Sequence, residues 1–530
     1  MIQPKVLSGN FPESAVVIGA GIGGLSVAAL LAKHGCKVTL LDRCNDAVGG
    51  LSKTIEENGF KFTFGPKYLW NFSEGEIGDK FLKALDLSEK VTMGHLDQGG
   101  FDRIYEESLN QPFLVPENLE EYKRRLYDAF PHDKSGIKKF FKQAETKYTF
   151  LRFAEQNELQ FETWGKSFRT LLAKFWTQPF TLLGFFYGIR KTFSEACDEC
   201  HLSEPLRRVL FANGLIYAEP ADTISFYAYV GASFNYMRGA FFPADGMINF
   251  IDELKRVIED NSGKIVLGSK VSEIETNGDN RITRAIDSEG NSYQADLFIS
   301  NIDPAALHSL LKQNPDSYCP KPLPNYKYSH SLTSIFIGID DADLIKPTFG
   351  NWNIWHCEEG MLSGNLYDRP ADSPMPHVYL SSPSFMGGGI VRDAPLGGAT
   401  LTAFAPASYS EFEEALDVSR KAHDRLLKAQ VQNIIDVIDS KYTKGIKGRI
   451  SCVRAFSPID VKEQFSAAFG NVYGKSFSVN DVTTKLPWNH ELANLYCVGQ
   501  FTTFAGVVNA ILSSCKVFEE VSGISIRNNF

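Results

Sequence analysis

Gly19-x-Gly21-x-x-Gly24 follows the apolar tetrad Ala15-Val16-Val17-Ile18 and opens the apolar stretch Leu25 to His34, which Gly35 closes. Strand, glycine turn and helix in that order constrain the fold more than any other feature of the 530 residues. A short apolar run of this kind suits a parallel strand buried on both faces. The first glycine permits the tight turn and the second lets a diphosphate approach the backbone. The third lets the helix lie close against the strand. The helix N-terminus then faces the diphosphate charge. A second strand, Lys37 to Leu41, ends at Asp42. A carboxylate there binds ribose hydroxyls and disfavours a 2′-phosphate. Gly19, Gly21, Gly23, Gly24 and Asp42 are therefore the expected dinucleotide contacts.

The remaining chain alternates in texture. Glu106 to Phe234 reads as mostly helical and is rich in Phe, Tyr and Trp. From Gly246 the α/β texture returns, with a helix over Met247 to Asp260 and a strand over Lys264 to Leu267. Val271 to Asp296 reads as short strands with turns at Asn277-Gly278 and Glu289-Gly290. Leu332 to Tyr473 mixes strands with one long helix, about Ser410 to Ser440. The last unit is a strand, Leu495 to Val498, a glycine loop and a helix from about Val508. No internal repeat interrupts this order. The pattern predicts an α/β fold with a discontinuous Rossmann-like domain over 1–100, 240–325 and 480–530. An α+β substrate domain, 101–239 and 326–479, is inserted in it twice.

Composition narrows the partners. The net charge is −9, with no long basic run, which argues against a nucleic-acid backbone. Nine Cys are scattered without a dense framework, so reduced thiols and a cytoplasmic setting are expected. Met1 to Ser14 lacks an apolar signal core, which argues against secretion. Phe is abundant, at 40 copies. A large core would absorb many of them, and so would the aromatic walls of a site for a long apolar substrate. Leu171 to Ile189 is apolar but broken by Lys174, Gln178 and Pro179, with Arg169 and Arg190 flanking it. It reads either as buried helices or as a patch around 171–190 that dips into a lipid interface; it is too interrupted to span one.

Other constellations carry less. Cys197-x-x-Cys200-His201 fits haem attachment in spacing, but on a helix the two thiols simply share a face. Gly387-Gly388-Gly389 lacks a following Lys or helix and reads as a turn. No HExxH, paired ligand spacing or GxSxG stands out, so no metal is expected. Tyr68, Tyr217, Tyr227 and Asp245 are polar groups in suggestive places, but none is marked as an acid or base, and the catalytic residues stay unassigned.

Beyond Asp42 and Arg43, the pair Gly49-Gly50 with Leu51, Ser52 and Thr54 resembles the second glycine element of FAD-dependent amine oxidases and phytoene desaturase-like enzymes. Leu51 stands where that family often has Arg. Phe60-x-Phe62-x-Phe64-Gly65-Pro66 is similar to the next element, with Thr63 at a position usually Asp. Gly239 to Gly246 resembles the G-x-x-Y/F-P-x-G-G signature, with Asp245 replacing a Gly. Gly268 to Ile274, Ser300-Asn301-Ile302-Asp303-Pro304, Ser382 to Gly397 and Pro458 to Gly474 follow in the family's order. Asn494 to Gln500, leading through Thr502 and Gly506 to a helix, is similar to the closing segment of carotenoid isomerases and retinol saturases. Gln500 takes the place of a frequent acid there and leans towards the saturase branch. The chain thus resembles the FAD-dependent carotenoid desaturase, carotenoid isomerase and retinol saturase-like flavoproteins.

That resemblance implies FAD, with adenine near Asp42 and Val271 and the isoalloxazine near Gly65 and Gly506. Arg43, Gly49, Gly50, Leu51, Ser52, Pro66, Asn301, Gly499, Gln500, Val507 and Val508 complete the implied contacts. It also implies a hydrophobic substrate with a polyene, isoprenoid or acyl chain, and saturation, desaturation or cis–trans isomerisation. Two alternatives remain: an amine oxidase or protoporphyrinogen oxidase-like flavoenzyme, and a non-catalytic prenyl-lipid carrier of the Rab GDP dissociation inhibitor type. The electron donor or acceptor is left open.

Overall fold

The computed structural model describes residues 11–156, 190–277, 279–311, 323–389, 391–484, 486, 491–502 and 504–530. Ser14–Ile18 is a strand, buried from Ala15 onward. It pairs in parallel with Leu297–Ser300 on one side and Lys37–Leu41 on the other. Leu495–Cys497 and Lys264–Val266 extend the two edges, again in parallel. The five-stranded order is 495–497, 297–300, 14–18, 37–41, 264–266. Only 14–18 and 37–41 are consecutive strands, joined by one helix; the other neighbours are far apart in sequence and arrive after long excursions of the chain.

The helix Ile22–Lys33 is buried on nearly every side, from Ile22 through Ala32. Its small residues let it approach both Gly246–Asp260 and Val507–Ser522. Ser514 Oγ in the last helix donates to the Gly23 carbonyl at 2.8 Å, tying the end of the chain to its first turn. A small antiparallel sheet, Val271–Thr276, Ile282–Asp287 and Ser292–Tyr293, lies beside this unit.

A second sheet has seven strands in the order 450–456, 331–339, 399–407, 377–381, 353–357, 102–106, 113–115. Its pairings are antiparallel except for Asn353–Cys357 with Asp102–Glu106. Period-two alternation sorts its faces. Ile335, Ile337 and Ile339 pack with Ile434, Ile435 and Ile438. Leu332, Ser334 and Phe336 point the other way, and Phe336 joins Phe60, Phe62 and Phe64.

Several expectations are revised. The long helix over Ser410 to Ser440 is two helices, Tyr409–Val418 and Arg420–Val437, the second followed by a π turn over Ile438–Tyr442. Ser419 breaks it with an extended backbone (φ −179°, ψ 155°), and its side chain accepts from Ala422 N at 3.1 Å. A serine cap removes no apolar position, so the periodicity gives no warning. The helical stretch after Glu106 also contains the strand Phe113–Val115. Of the abundant phenylalanines, Phe226, Phe234, Phe241 and Phe242 are buried in the core and do not line the large cavity described below. The apolar stretch Leu171 to Ile189 lies outside the described residues. Among those described, no helix is long and apolar enough to cross a membrane.

Candidate functional site

Gly19 turns with φ +98°, and its N–H donates to the Leu41 carbonyl at 2.8 Å. A Cβ on Gly24 would fall 1.9 Å from the Gly19 carbonyl oxygen. The third glycine therefore serves the contact between strand and helix. It does not line the cavity described below, so the expected contact at Gly24 is corrected to a packing role. Gly49 N donates to the Ala20 carbonyl at 2.8 Å, and a Cβ on Gly50 would meet Gly21 Cα at 3.1 Å. The second glycine pair thus lies directly against the first turn.

Asn301 links the glycine turns. Its N–H donates to the Ile18 carbonyl at 2.8 Å, and its Nδ2 donates to the Gly19 carbonyl at 3.2 Å. A Cβ on Gly23 or Gly499 would collide with its Oδ1, at 2.7 and 2.4 Å. Asp42 Oδ2 accepts from Ala20 N at 2.6 Å and Oδ1 from Cys44 N at 2.8 Å. The carboxylate is half-buried beside Ser269, Lys270 and Val271. Arg43 turns outward and donates to the Glu463 carbonyl at 2.6 Å.

Two helices begin at this cavity, and both have glycine N-caps, Gly21 and Gly506, without a side-chain cap hydrogen bond. Neither has an acidic residue in its first turn. Their leading amides are open to an anionic group, and the helix dipoles favour one. Gly506 has φ +101°, with Trp70 beside it, and a Cβ on Gly65 would strike the Leu51 carbonyl at 2.2 Å. Such cradles of bare backbone fit a dinucleotide laid against the chain.

All these elements open on one cavity of about 1510 Å³. Gly19, Gly21, Gly23, Asp42, Arg43, Gly49, Gly50, Leu51, Ser52, Gly65, Pro66, Val271, Asn301, Gly499, Gln500, Gly506, Val507 and Val508 all line it. Another part of its wall is aromatic. Tyr68 stacks on Tyr236 at 4.0 Å, and Trp70 meets Tyr236 edge-on at 4.9 Å. Trp355 packs against Tyr379 at 4.8 Å, and Tyr379 stacks on Phe404 at 5.6 Å. Phe477 and Phe504 stack at 5.9 Å. Tyr217, Tyr227 and Tyr473 complete this part. Burial pushes the phenols of Tyr68, Tyr217, Tyr227, Tyr236 and Tyr379 up.

Of the four polar residues singled out in the sequence, Tyr68, Tyr217 and Tyr227 face this cavity and Asp245 does not. Asp245 caps the helix Gly246–Asp260 without a side-chain cap bond. Sequence reasoning missed Tyr236, Trp355, Tyr379, Phe404 and Tyr473. They come from remote segments of a helix, three strands and a loop, and no spacing connects them.

Two buried ionisable groups sit here. Burial pushes Lys67 down to about 7, opposed by Asp393. Its Nζ donates to the Thr63 carbonyl and lies 5.3 Å above the Phe336 ring. Burial pushes Asp102, behind the aromatic wall, up to about 7. Elsewhere, Cys197 and Cys200 are buried thiols, and burial raises both. Gly387 and Gly389 press on the backbone of Phe242 and Ala244, as a turn would. Among the described residues no cluster could hold a metal ion.

A parallel sheet with uncapped helix N-termini, joined through one cavity to a second, aromatic-faced sheet, defines a two-sheet α/β dinucleotide-binding protein. The family model of an NAD(P)-binding Rossmann-like domain matches residues 17–85. An all-trans-retinol 13,14-reductase from Danio rerio is 26% identical, covering 96% of this chain and 86% of its own. A lycopene-forming phytoene desaturase from Pantoea ananas is 24% identical over 95% of this chain and 98% of its own. Among solved structures, an oxidoreductase from Methanosarcina mazei aligns with a TM-score of 0.60 at 16% identity, covering 96% of this chain and all of the other. A putrescine oxidase variant aligns with a TM-score of 0.60 at 13% identity, covering 97% and 99%. These solved structures share the fold. Along nearly its whole length the chain is thus similar to enzymes named phytoene desaturase and all-trans-retinol 13,14-reductase.

Proposed function

We propose that the protein is an FAD-dependent oxidoreductase acting on C=C or C–C bonds of a hydrophobic polyene or isoprenoid. The observation that carries this reading is the single cavity in which bare glycine backbone gives way to an aromatic wall. Backbone amides at Gly21 to Gly23 and the N-terminus of Ile22–Lys33 would hold the diphosphate. Asp42 would take the adenosine ribose, and Val271 would flank adenine. Gly49 to Ser52, Gly65, Pro66, Gly499 and Gln500 would line the remaining length. The bound flavin supplies a hydride donor or acceptor next to the substrate carbon. The amides of Val507 and Val508 would stabilise negative charge on its reduced form.

The remaining work falls to the wall. Tyr68, Tyr236, Tyr379 and Phe404 would hold a flat conjugated chain by stacking and keep water out. Saturation, desaturation and isomerisation share this requirement. We divide the molecule into a cofactor domain, 1–100, 240–325 and 480–530, and a substrate domain, 101–239 and 326–479. The amine oxidase-like alternative also needs aromatic residues beside the flavin. Relatives named for retinol and phytoene weigh against it.

Two measurements test the proposal. Purified protein should show flavin absorption, or gain it on addition of FAD; absence of both rules out the enzyme. Anaerobic incubation with a polyene then separates the reactions by product mass, since saturation adds two hydrogens, desaturation removes two and isomerisation changes none.

A further inference from the structure

Several rings of the aromatic wall converge on one buried acid. Strand register sets Trp355 opposite Tyr379, and Tyr379 opposite Phe404, on three neighbouring strands. Asp102 pairs with Asn353, two residues before Trp355, so it belongs to the same sheet face as that row. Asp102 is 3% exposed and does not line the cavity. Asn353 Nδ2 donates to its Oδ1 at 2.9 Å, and Tyr379 Oη donates to Asn353 Oδ1 at 2.6 Å. Tyr68 and Trp355 approach the same carboxyl as donors and oppose the rise in its pKa that burial causes. Tyr236 follows Tyr68, on which it stacks at 4.0 Å. Ring packing alone needs no acid at this place, and a buried carboxyl is costly unless donors meet it. What the acid adds is direction, because a satisfied polar network fixes where each ring's polar edge points.

We propose that Asp102 is a positioning residue for substrate binding: its carboxyl orients Tyr68 and Trp355 directly, and Tyr379 through Asn353, without touching the polyene itself. The inference rests on the polyene reading above and adds a residue to it. A carboxylate can accept from three donors at once, whereas the single side-chain oxygen of asparagine has two lone pairs. Asp102→Asn therefore keeps the volume and releases at least one of these donors. The titratable groups facing the carboxyl are the phenols of Tyr68, Tyr122, Tyr236 and Tyr379, and burial pushes all four up. His377, packed 6.0 Å from Trp355, is pushed down to about 4 by burial. On Asp102's own strand, Arg103 lies over the Trp352 ring, and Glu106 pairs with Arg208 at 2.7 Å. Asp102 is thus the group of this cluster that changes charge near pH 7.

The test is a double-mutant cycle on the flavin-loaded protein, read by binding of a conjugated all-trans polyene hydrocarbon from mixed micelles. Asp102→Asn should weaken the polyene about tenfold and leave flavin affinity unchanged. Tyr68→Phe should weaken it about threefold, and the two changes together should fall short of the product of their single effects. Effects that multiply, or an Asp102→Asn variant with wild-type polyene affinity, overturn the positioning role and leave the polyene reading standing. A second measurement needs no ligand. The emission of Trp355, taken in each background as the difference from its Trp355→Phe partner, should shift with a midpoint near pH 7 in the wild type. The shift should vanish in Asp102→Asn; a shift that persists there, or none in the wild type, also overturns the role. A wild type that binds no polyene overturns the polyene reading itself, and the positioning role with it.

Discussion

The two ends of the cavity are built from opposite materials. At the nucleotide end the wall is backbone: a Cβ on Gly23, Gly65 or Gly499 would land within 3 Å of a neighbouring heavy atom. At the other end the wall is side chain, with Tyr68 stacked on Tyr236, and Trp355, Tyr379 and Phe404 in successive ring contact. The first end suits a charged, hydrogen-bonding ligand, because amides and helix termini face it. The second suits a flat apolar chain. The difference suggests that the two functions can be damaged separately.

Trp355→Ala probes the aromatic end most severely. Trp355 is 1% exposed, and its truncation should cost about 3–5 kcal/mol in denaturant unfolding. The folded fraction should still carry flavin; joint loss of flavin would show that the two ends are not separable.

Asp102 gives the same end a pH signature. Burial raises its folded-state pKa to about 7, well above an unfolded carboxylate. A raised carboxyl pKa favours the folded protein below about pH 4, and that advantage is lost as pH rises to about 7. The stability of the wild type minus that of Asp102→Asn should fall by about 4 kcal/mol across this window and stay level above it. Asn retains the acceptor for Asn353, so a difference curve flat with pH contradicts the buried-acid assignment.

At the nucleotide end, Gly24→Ala forces a methyl towards the Gly19 carbonyl. Overpacking should destabilise by about 1–3 kcal/mol. Flavin should be lost from the purified protein, because the turn must open; full flavin occupancy would deny the turn its role. Asp42→Asn is milder. Flavin affinity should drop about tenfold, while polyene binding to the reloaded protein stays unchanged.

The same contrast explains what could be read from the sequence. Gly19, Gly21, Gly24, Asp42, Gly49 and Gly50 were visible because close backbone approach demands glycine at fixed spacing along a continuous turn. The strands flanking them also follow local patterns, and the five-stranded sheet could be anticipated from two separated α/β portions. Tyr236, Trp355 and Tyr379 had no such signal, since tertiary packing alone brings a helix and two strands of another sheet together. Asn301 was readable as a contact, yet its part in linking the turns appears only through its bond to Gly19 and its closeness to Gly499. The abundance of Phe left a large core and aromatic walls both open; tyrosine and tryptophan contribute to the wall, and many phenylalanines fill the core.

The central claim is that one cavity brings a flavin and a polyene into contact. The most direct test is an anaerobic titration of the flavin-loaded protein with a polyene, following flavin absorbance and product mass together. The account predicts a perturbed flavin spectrum on binding and a product that gains two hydrogens, loses two or is isomerised. An unperturbed flavin and an unaltered polyene at saturating concentration, in both flavin redox states, would contradict it.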